Sequence, residues 1–509
     1  MKDSSLLQRL SVHRTLFEVV GVYFLSALTL GFFIFDRDGL LGPDGFYHFR
    51  LAGVLWDEGL FSAIEALPLT VFGENLPDHH LLWHWLLIPF TWIEDPLLGV
   101  QWAAVLTGAM VPAGLTFFGR HMAIPLAPLW GLLAVCAVFT LPGRFVMLRA
   151  QNIAILLIFL SLYALVKERL RMMAVVAFVF MVTYHGAVIL APLVTLYACV
   201  VWFHERRLAY KPFVAAGLGG LLGLTLNPYF PASFEYLYFH TVLTVPEAGA
   251  GTGGGSEWSA PPWSMLWQQA WAVHVLLLGA MGSSVWVAKV RKERVLSLGA
   301  TVMVLAALLT LVMYKGANRF GEYYGPLGIF AAAMLFRDIL QGVDDSPKRG
   351  RFKLVLALLL GGLIVSQGTQ GLLVVEKYSQ FKAEKYEGIA KVLAAESKPG
   401  DMVYNSAYHD FPFLYFHQPN LRYVIGLDTH YLSEANPLLY NEWGWMQQVQ
   451  VDEPNDPAPL MAAHFKADFA VVAREHSGLA ARLLKSPHVR PLVATRYGWL
   501  FKIALDASP

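Results

Sequence analysis

Charged side chains are scarce in this sequence. Only 15% of its 509 residues are Asp, Glu, Lys or Arg, against about 25% in an average soluble domain. Neither sign dominates: 38 lysines and arginines stand against 37 acids. Without a basic surplus there is no electrostatic footprint for nucleic acid, and no such partner is expected. Cysteine is nearly absent. Cys136 and Cys199 both lie in apolar runs, which excludes a disulfide framework and offers no metal-ligand spacing. An internal repeat of the kind that marks many secondary transporters is lacking too. So is a cleavable signal peptide: the first apolar run is long, has no clear small-residue cleavage site, and reads as a retained span. Hydrophobic residues take the place of charge. They make up 56% of the chain, and mean hydropathy is +0.49. That excludes a disordered or fibrous chain, and a chain this apolar needs a bilayer to bury it.

A bilayer core about 30 Å thick takes roughly 20 apolar residues per helix. Eleven spans are expected, near 17–35, 98–118, 123–141, 153–166, 172–184, 186–203, 212–227, 267–288, 295–314, 323–340 and 353–373. The apolar run 172–203 is divided into two short helices at Tyr184, His185 and Gly186. HLLWHWLLIPFTWI at 80–93 has the composition of a span but is short, aromatic and interrupted by Pro89. It is assigned to an interfacial or re-entrant helix. With it left out of the count, lysines and arginines in the loops on the N-terminal side outnumber those on the other side by roughly three to one, which places the N-terminus in the cytoplasm. The opposite face then receives a long loop at 36–97, a short one at 142–152, a Gly-rich one at 228–266, and everything after 373. The expected organisation is a polytopic α-helical membrane domain over 1–375 and a small extracytoplasmic α/β domain over 376–509. In that second domain MVYNSA (402–407), RYVIGLD (422–428) and DFAVVA (468–473) read as strands. The segments 384–396 and 478–485 read as helices between them.

Several polar residues in the loops carry chemistry. Asp44, Tyr47, His48 and Arg50, in DRDGLLGPDGFYHFRLA, lie just beyond the first span. A polar site can assemble there against water, although a solvated loop with an interfacial tyrosine has the same look. The same loop later carries Asp78, His79, His80 and His84. His80 and His84 have the i, i+4 spacing that can ligate a metal; beside Trp83 and Trp85 they equally suit headgroup anchors. A structural zinc site is not expected, because such sites are closed by four ligands, usually including cysteine. The Gly-rich stretch EAGAGTGGGSEWSAPPW (247–263) ends in Glu257 and Trp258 before Pro261, Pro262 and Trp263. A flexible run fused to a carboxylate and aromatics suggests a lid that orders over substrate, with a plain surface linker as the alternative. Arg319 lies at the outer end of a span in KGANRFGEYYGP. An arginine near bilayer depth is costly and has phosphate as a natural partner; snorkelling is the alternative, and Lys315 one turn away could share its role.

In this order, these segments resemble one superfamily. DGFYHFRLA looks like the D-x-Y-Y-H-x-R signature in the first external loop of the catalytic subunit of oligosaccharyltransferases, a member of the GT-C class of lipid-carrier-dependent glycosyltransferases. LPGRFVMLRAQNIAI (141–155) looks like that family's second external loop. SEWSAPPW (256–263) is similar to its S-x-E-x-x-P-x-x-W segment. YHGAVILAP (184–192) resembles its H-G-x-x-x-x-x-P span, and NRFGEYY (318–324) its arginine-bearing stretch. The resemblance runs across roughly 36–375, with a looser match in the C-terminal domain. The chain departs from the pattern twice. Arg149, Ala150, Gln151 and Asn152 stand where the family has a D-x-D or D-x-E pair. The W-W-D-Y-G motif is missing, and YNSAYHDFPFLYFH (404–417), with Asp410, occupies its place.

The resemblance implies a GT-C enzyme of the bacterial inner membrane. It would move a sugar or oligosaccharide from a polyprenyl-(pyro)phosphate donor to a glycan, lipid or protein acceptor on the periplasmic face. It maps the family's metal-ligating aspartate onto Asp44, as Mg²⁺ or Mn²⁺ ligand or as base. It maps the flexible-loop acid onto Glu257, which with Trp258 would close over the site. Arg319, with Lys315 and Arg149, would hold the leaving phosphate. A hard cation wants several oxygen ligands; without the second-loop pair, Asp44, Glu257 and Asp78 are left to supply them. The missing outer-domain motif argues against asparagine glycosylation. The alternative is a GT-C-shaped protein that binds or transports a lipid-linked glycan, or partners a polymerase, without catalysis.

Overall fold

The computed structural model describes residues 2–60, 64–74, 78, 80–244, 256–292, 296–341, 347–377, 381–448 and 455–504. His79 and residues 245–255 of the Gly-rich loop, with the mobility expected of them, lie outside the described residues. The chain divides into two compact units. One comprises Met1–Ile34, Trp102–Asn227 and Val245–Ser379; the other comprises Phe35–Gln101, Pro228–Thr244 and Gln380–Pro509.

The first unit is helical. Among the described residues, six helices of the chain are long and apolar enough to cross a membrane: Val12–Ile34, Pro96–His121, His185–Glu205, Trp263–Val290, Leu298–Gly316 and Arg349–Glu376. This is a multi-pass membrane protein. Shorter apolar helices at Gln151–Val166, Leu170–Thr183 and Lys211–Thr225 accompany them. The long apolar run breaks at the expected place. Tyr184 is extended (φ −159°, ψ 128°), and a 3₁₀ turn over His185–Ile189 leads into the helix Leu190–Glu205. Helices pack here through small residues, because lipid tails leave no hydrophobic drive between them. A Cβ at Gly219 would fall 2.1 Å from the Ala174 carbonyl oxygen, so the helices Leu170–Thr183 and Lys211–Thr225 meet backbone against backbone there. The helix Gly321–Gln341 is buried along nearly its whole length. At its C-terminal end Arg337 donates to Asp338, to Ser297 Oγ (2.8 Å) and to the Met122 carbonyl (2.9 Å), so the buried charges are paired and hydrogen-bonded.

The second unit contains a five-stranded sheet, formed by β3 (Met402–Asn405), β4 (Arg422–Tyr423), β5 (Phe469–Ala473), β6 (Val489–Ala494) and β7 (Gly498–Ile503). Its order is β4-β3-β5-β7-β6. A two-residue pairing of β1 (Gly39–Leu40) with β2 (Phe381–Lys382) lies apart. β3 runs parallel to β4 and β5, with Tyr404 opposite Ala470, and β7 runs antiparallel to β5. Every residue of β3 and β5 is buried, as expected of strands covered on both faces. The edges are blunted by a two-residue β4 and by Pro491 in β6. Strands therefore form in all three expected runs, and helices Glu387–Glu396 and Ser477–Leu483 in both expected segments. The β6–β7 hairpin is not foreshadowed in the sequence. The stretch 80–93 forms the helix Leu81–Thr91, which belongs to this unit.

Candidate functional site

In the first unit, three arginines converge on one carboxylate. Pro142 in the first turn suits the short helix Leu141–Val146, whose last turn carries Arg144. The chain then extends at Met147, and Arg149 precedes the helix Gln151–Val166. Extended Ala317 ends the helix Leu298–Gly316 and starts a single turn, Asn318–Phe320, that presents Arg319. Another single turn, Ser256–Trp258, presents Glu257, and the Asn318 amide donates to the Ser259 carbonyl at 3.0 Å, tying the two turns together. Arg144 Nη2 donates to Glu257 Oε2 at 2.8 Å and Arg149 Nη1 to the same oxygen at 3.3 Å. Arg319 Nη1 lies 3.6 Å from Oε1. The Nε of Arg144 is bonded to Glu322. The Arg319 guanidinium sits over the Trp258 ring at 4.2 Å, and Lys315 Nζ over Trp263 at 5.5 Å.

Burial alone would raise the Glu257 carboxyl. Arg149, Arg319 and Arg144 outweigh it and hold the group well below the usual carboxylate range. Burial would likewise push the Arg319 guanidinium down, but Glu257 and, behind it, Tyr184 and Glu322 hold it firmly protonated. Three guanidiniums against two carboxylates leave the cluster net positive. Convergent planar donors of this kind form a receptor for oxyanions. A cavity of about 220 Å³ lies in the same unit, lined by Leu30, Pro112, Cys136, Leu372, Pro142 and Phe145. The last two flank Arg144 in sequence.

Glu257, Trp258, Arg149 and Arg319 thus lie together in the first unit. Lys315 faces Trp263 instead of Glu257. Sequence reasoning missed Arg144 and Glu322. The signal was present: both lie within five residues of a site arginine, in stretches where ionisable groups are few. The cluster does not suit Mg²⁺ or Mn²⁺. Guanidinium nitrogens occupy the Glu257 oxygens, and Asn152, where the family carries an acid, donates to the Phe145 carbonyl at 2.9 Å. A dication there would meet arginines where it needs oxygens.

The second unit holds the remaining candidates. Asp44 opens the helix Asp44–Glu58 and is half-buried; Tyr47 and His48 on the same helix are buried. Burial, then the charge of Asp78, pushes the Tyr47 phenol well up. Arg50 has a structural place: Nε and Nη2 both donate to the Phe416 carbonyl, at 2.8 and 2.6 Å, tying this helix to the helix Phe411–His417. Asp410 is buried in an ion pair with Lys385 (2.7 Å) and accepts from the Tyr386 hydroxyl. Asp78, His80 and His84 gather with His48. His84 Nδ1 lies 2.6 Å from Asp78 Oδ2, and His84 Nε2 lies 2.8 Å from His48 Nδ1. One ring nitrogen from each of His48, His80 and His84 lies within 4.8 Å of the others, so this buried triad could hold a metal.

No protein-family profile matches the chain, and no curated protein matches it. Solved structures do. ArnT from Cupriavidus metallidurans bound to undecaprenyl phosphate aligns with a TM-score of 0.58 at 14% identity, over 96% of this chain and 99% of that one. The apo state of the same protein aligns with a TM-score of 0.55 at 13% identity, over 95% and 97%. The likeness is one of fold: the chain is folded as ArnT is, over nearly its whole length.

Proposed function

We propose that this protein is a GT-C-type glycosyltransferase of the bacterial inner membrane. It takes a sugar or oligosaccharide from a polyprenyl-(pyro)phosphate donor and passes it to a glycan, lipid or protein acceptor on the periplasmic face, with its own N-terminus in the cytoplasm. The observation that carries this reading is the convergence of Arg144, Arg149 and Arg319 on Glu257. A polyprenyl phosphate is an anion on a hydrocarbon tail, and the same unit supplies an oxyanion receptor and an apolar cavity. That ArnT shares the fold and binds undecaprenyl phosphate supports the choice of donor.

In the reaction an acceptor oxygen forms a bond to the anomeric carbon while the bond from that carbon to the phosphate oxygen breaks. The electron pair leaves with the phosphate. Fixed guanidiniums stabilise that developing charge without reorganising. Asp44, on the resemblance, takes the acceptor proton; one positioned carboxylate contributes about 10²–10⁴-fold as general base.

The test is binding of a polyprenyl-phosphate analogue in detergent. Arg319→Lys loses the planar fork and should bind roughly tenfold more weakly, since about 1.4 kcal/mol is one decade. Arg319→Ala should bind more weakly still. Equal affinities across the three proteins leave only a membrane anchor. The second reading, a protein that binds or carries a lipid-linked glycan without catalysis, is favoured by Arg149 standing where the family has an acid. Asp44→Asn separates the two: an enzyme keeps donor binding and loses turnover, whereas a carrier shows no turnover to lose.

A further inference from the structure

We infer that His48, His80 and His84 form a binding site for a divalent transition metal of the zinc class, which clamps the helix Asp44–Glu58 to the helix Leu81–Thr91. The three side chains are buried, and His48 stands 32 or more positions before the other two in sequence. His80 immediately precedes its helix, and the His84 amide donates to the His80 carbonyl at 2.9 Å, which sets both rings on one side of the first turn.

Asp78 gives the cluster its direction. Its Oδ1 accepts from the His80 amide at 2.9 Å, and its Oδ2 faces His84 Nδ1 at 2.6 Å. A carboxylate accepts, so Nδ1 of His84 carries the proton and Nε2 presents a lone pair toward His48. Metal-ligating histidines are oriented by such a carboxylate on the far ring nitrogen, which fixes the tautomer and raises the basicity of the ligating nitrogen. Without metal, His48 Nδ1 donates to that lone pair across 2.8 Å. With metal bound at about 2.0–2.1 Å from each nitrogen in tetrahedral geometry, the same pair must open to about 3.3 Å. The proton on His48 Nδ1 is exchanged for one on its Nε2, so that the ring stays neutral and Nδ1 presents its lone pair to the metal. Side-chain rotation must open that pair by about half an ångström and draw the other ring nitrogens, which lie within 4.8 Å of one another, to the same spacing.

The donor set selects the metal. Three imidazole nitrogens suit zinc, cobalt, nickel or copper and offer nothing to a hard cation that wants oxygen. Three protein ligands leave a fourth position, and a zinc held here runs against the expectation from sequence that these histidines form no structural zinc site. It is also separate in chemistry from the oxygen-ligated cation that the family resemblance attaches to Asp44.

The full chain, purified in detergent without a polyhistidine tag, should be loaded with zinc, desalted and assayed for metal by mass spectrometry. About one zinc per chain is expected. His48→Gln and His84→Gln should each lose it, and Asp78→Asn should bind roughly 10–100-fold more weakly. Magnesium or manganese at equal concentration should not be retained. Zinc should raise the unfolding temperature of the wild type and not of the histidine variants. His80→Gln, outside the helix, is the substitute if His84→Gln does not fold. Wild type that retains no zinc, or variants that retain as much as wild type, overturns the site and leaves a hydrogen-bonded His–His–Asp chain.

Discussion

A carboxylate ringed by three guanidiniums stays ionised across the physiological range. Glu257 ionises in the folded chain well below its ordinary value of 4.5. A depressed carboxyl contributes its stability fully above the unfolded pKa and loses it only as pH falls through the folded one. The gap in thermal stability between wild type and Glu257→Gln should therefore be flat between about pH 5 and 8, with the variant weaker by roughly 1–3 kcal/mol, the scale of a charge-assisted hydrogen bond. Melting curves across that range check it, and a gap that grows with pH above 5 contradicts the assignment. Arg144 should behave differently from Arg149. It bonds both Glu257 and Glu322, so Arg144→Ala takes a guanidinium from two acids, where Arg149→Ala takes one from Glu257 alone, which keeps Arg144 and Arg319. The larger melting-temperature drop is expected for Arg144→Ala.

Among the elements, the close pair Leu170–Thr183 and Lys211–Thr225 offers an internal control. Gly219→Ala drives a Cβ to 2.1 Å from the Ala174 carbonyl oxygen, whereas a Cβ at Gly217 on the same helix meets nothing within 4 Å. Overpacking costs about 1–3 kcal/mol, while alanine in an open helical position gains up to about 1 kcal/mol over glycine. Thermal unfolding in detergent should move in opposite directions for the two variants. This scale was also where the sequence was most legible. The break at Tyr184 could be read because Gly186 and an extended residue interrupt an otherwise unbroken apolar run. The buried strands β3 and β5 could be read because MVYN and FAVVA are apolar on both faces. β6 could not, because Pro491 argues against a strand except at an edge, and an edge is a property of the sheet. The histidine triad was half legible: i, i+4 spacing joined His80 to His84, but His48 lies 36 positions before His84 and only the fold brings it in. Arg144 and Glu322 were passed over for a similar reason, since nothing in their spacing pairs residues 178 apart.

At the scale of the whole molecule, orientation is open to direct labelling. Cys136 and Cys199 are the sole thiols, so Cys136→Ala with Cys199→Ser gives a clean background. In intact cells an impermeant maleimide should reach Lys398→Cys, and Arg206→Cys only after permeabilisation; both native side chains are exposed. The reverse pattern would invert the proposed topology. Glu257 has one more consequence at this scale. It belongs to the same chain as the arginines it fills, and a tethered group acts at an effective concentration in the millimolar range for a short flexible link. Any incoming headgroup must therefore exceed a threshold before it can take the place of the acid. The singly charged phosphodiesters that make up the bulk of a bilayer are poor rivals at that threshold, as is a sugar joined to its carrier through a single phosphate; a pyrophosphate-linked donor, or the phosphate released after transfer, carries a second charge and is a better one. The acid would then act as a filter against ordinary phospholipid. Glu257→Gln should relax it, admitting phosphodiester analogues that wild type turns away, and unchanged discrimination between the two headgroups would remove the filter.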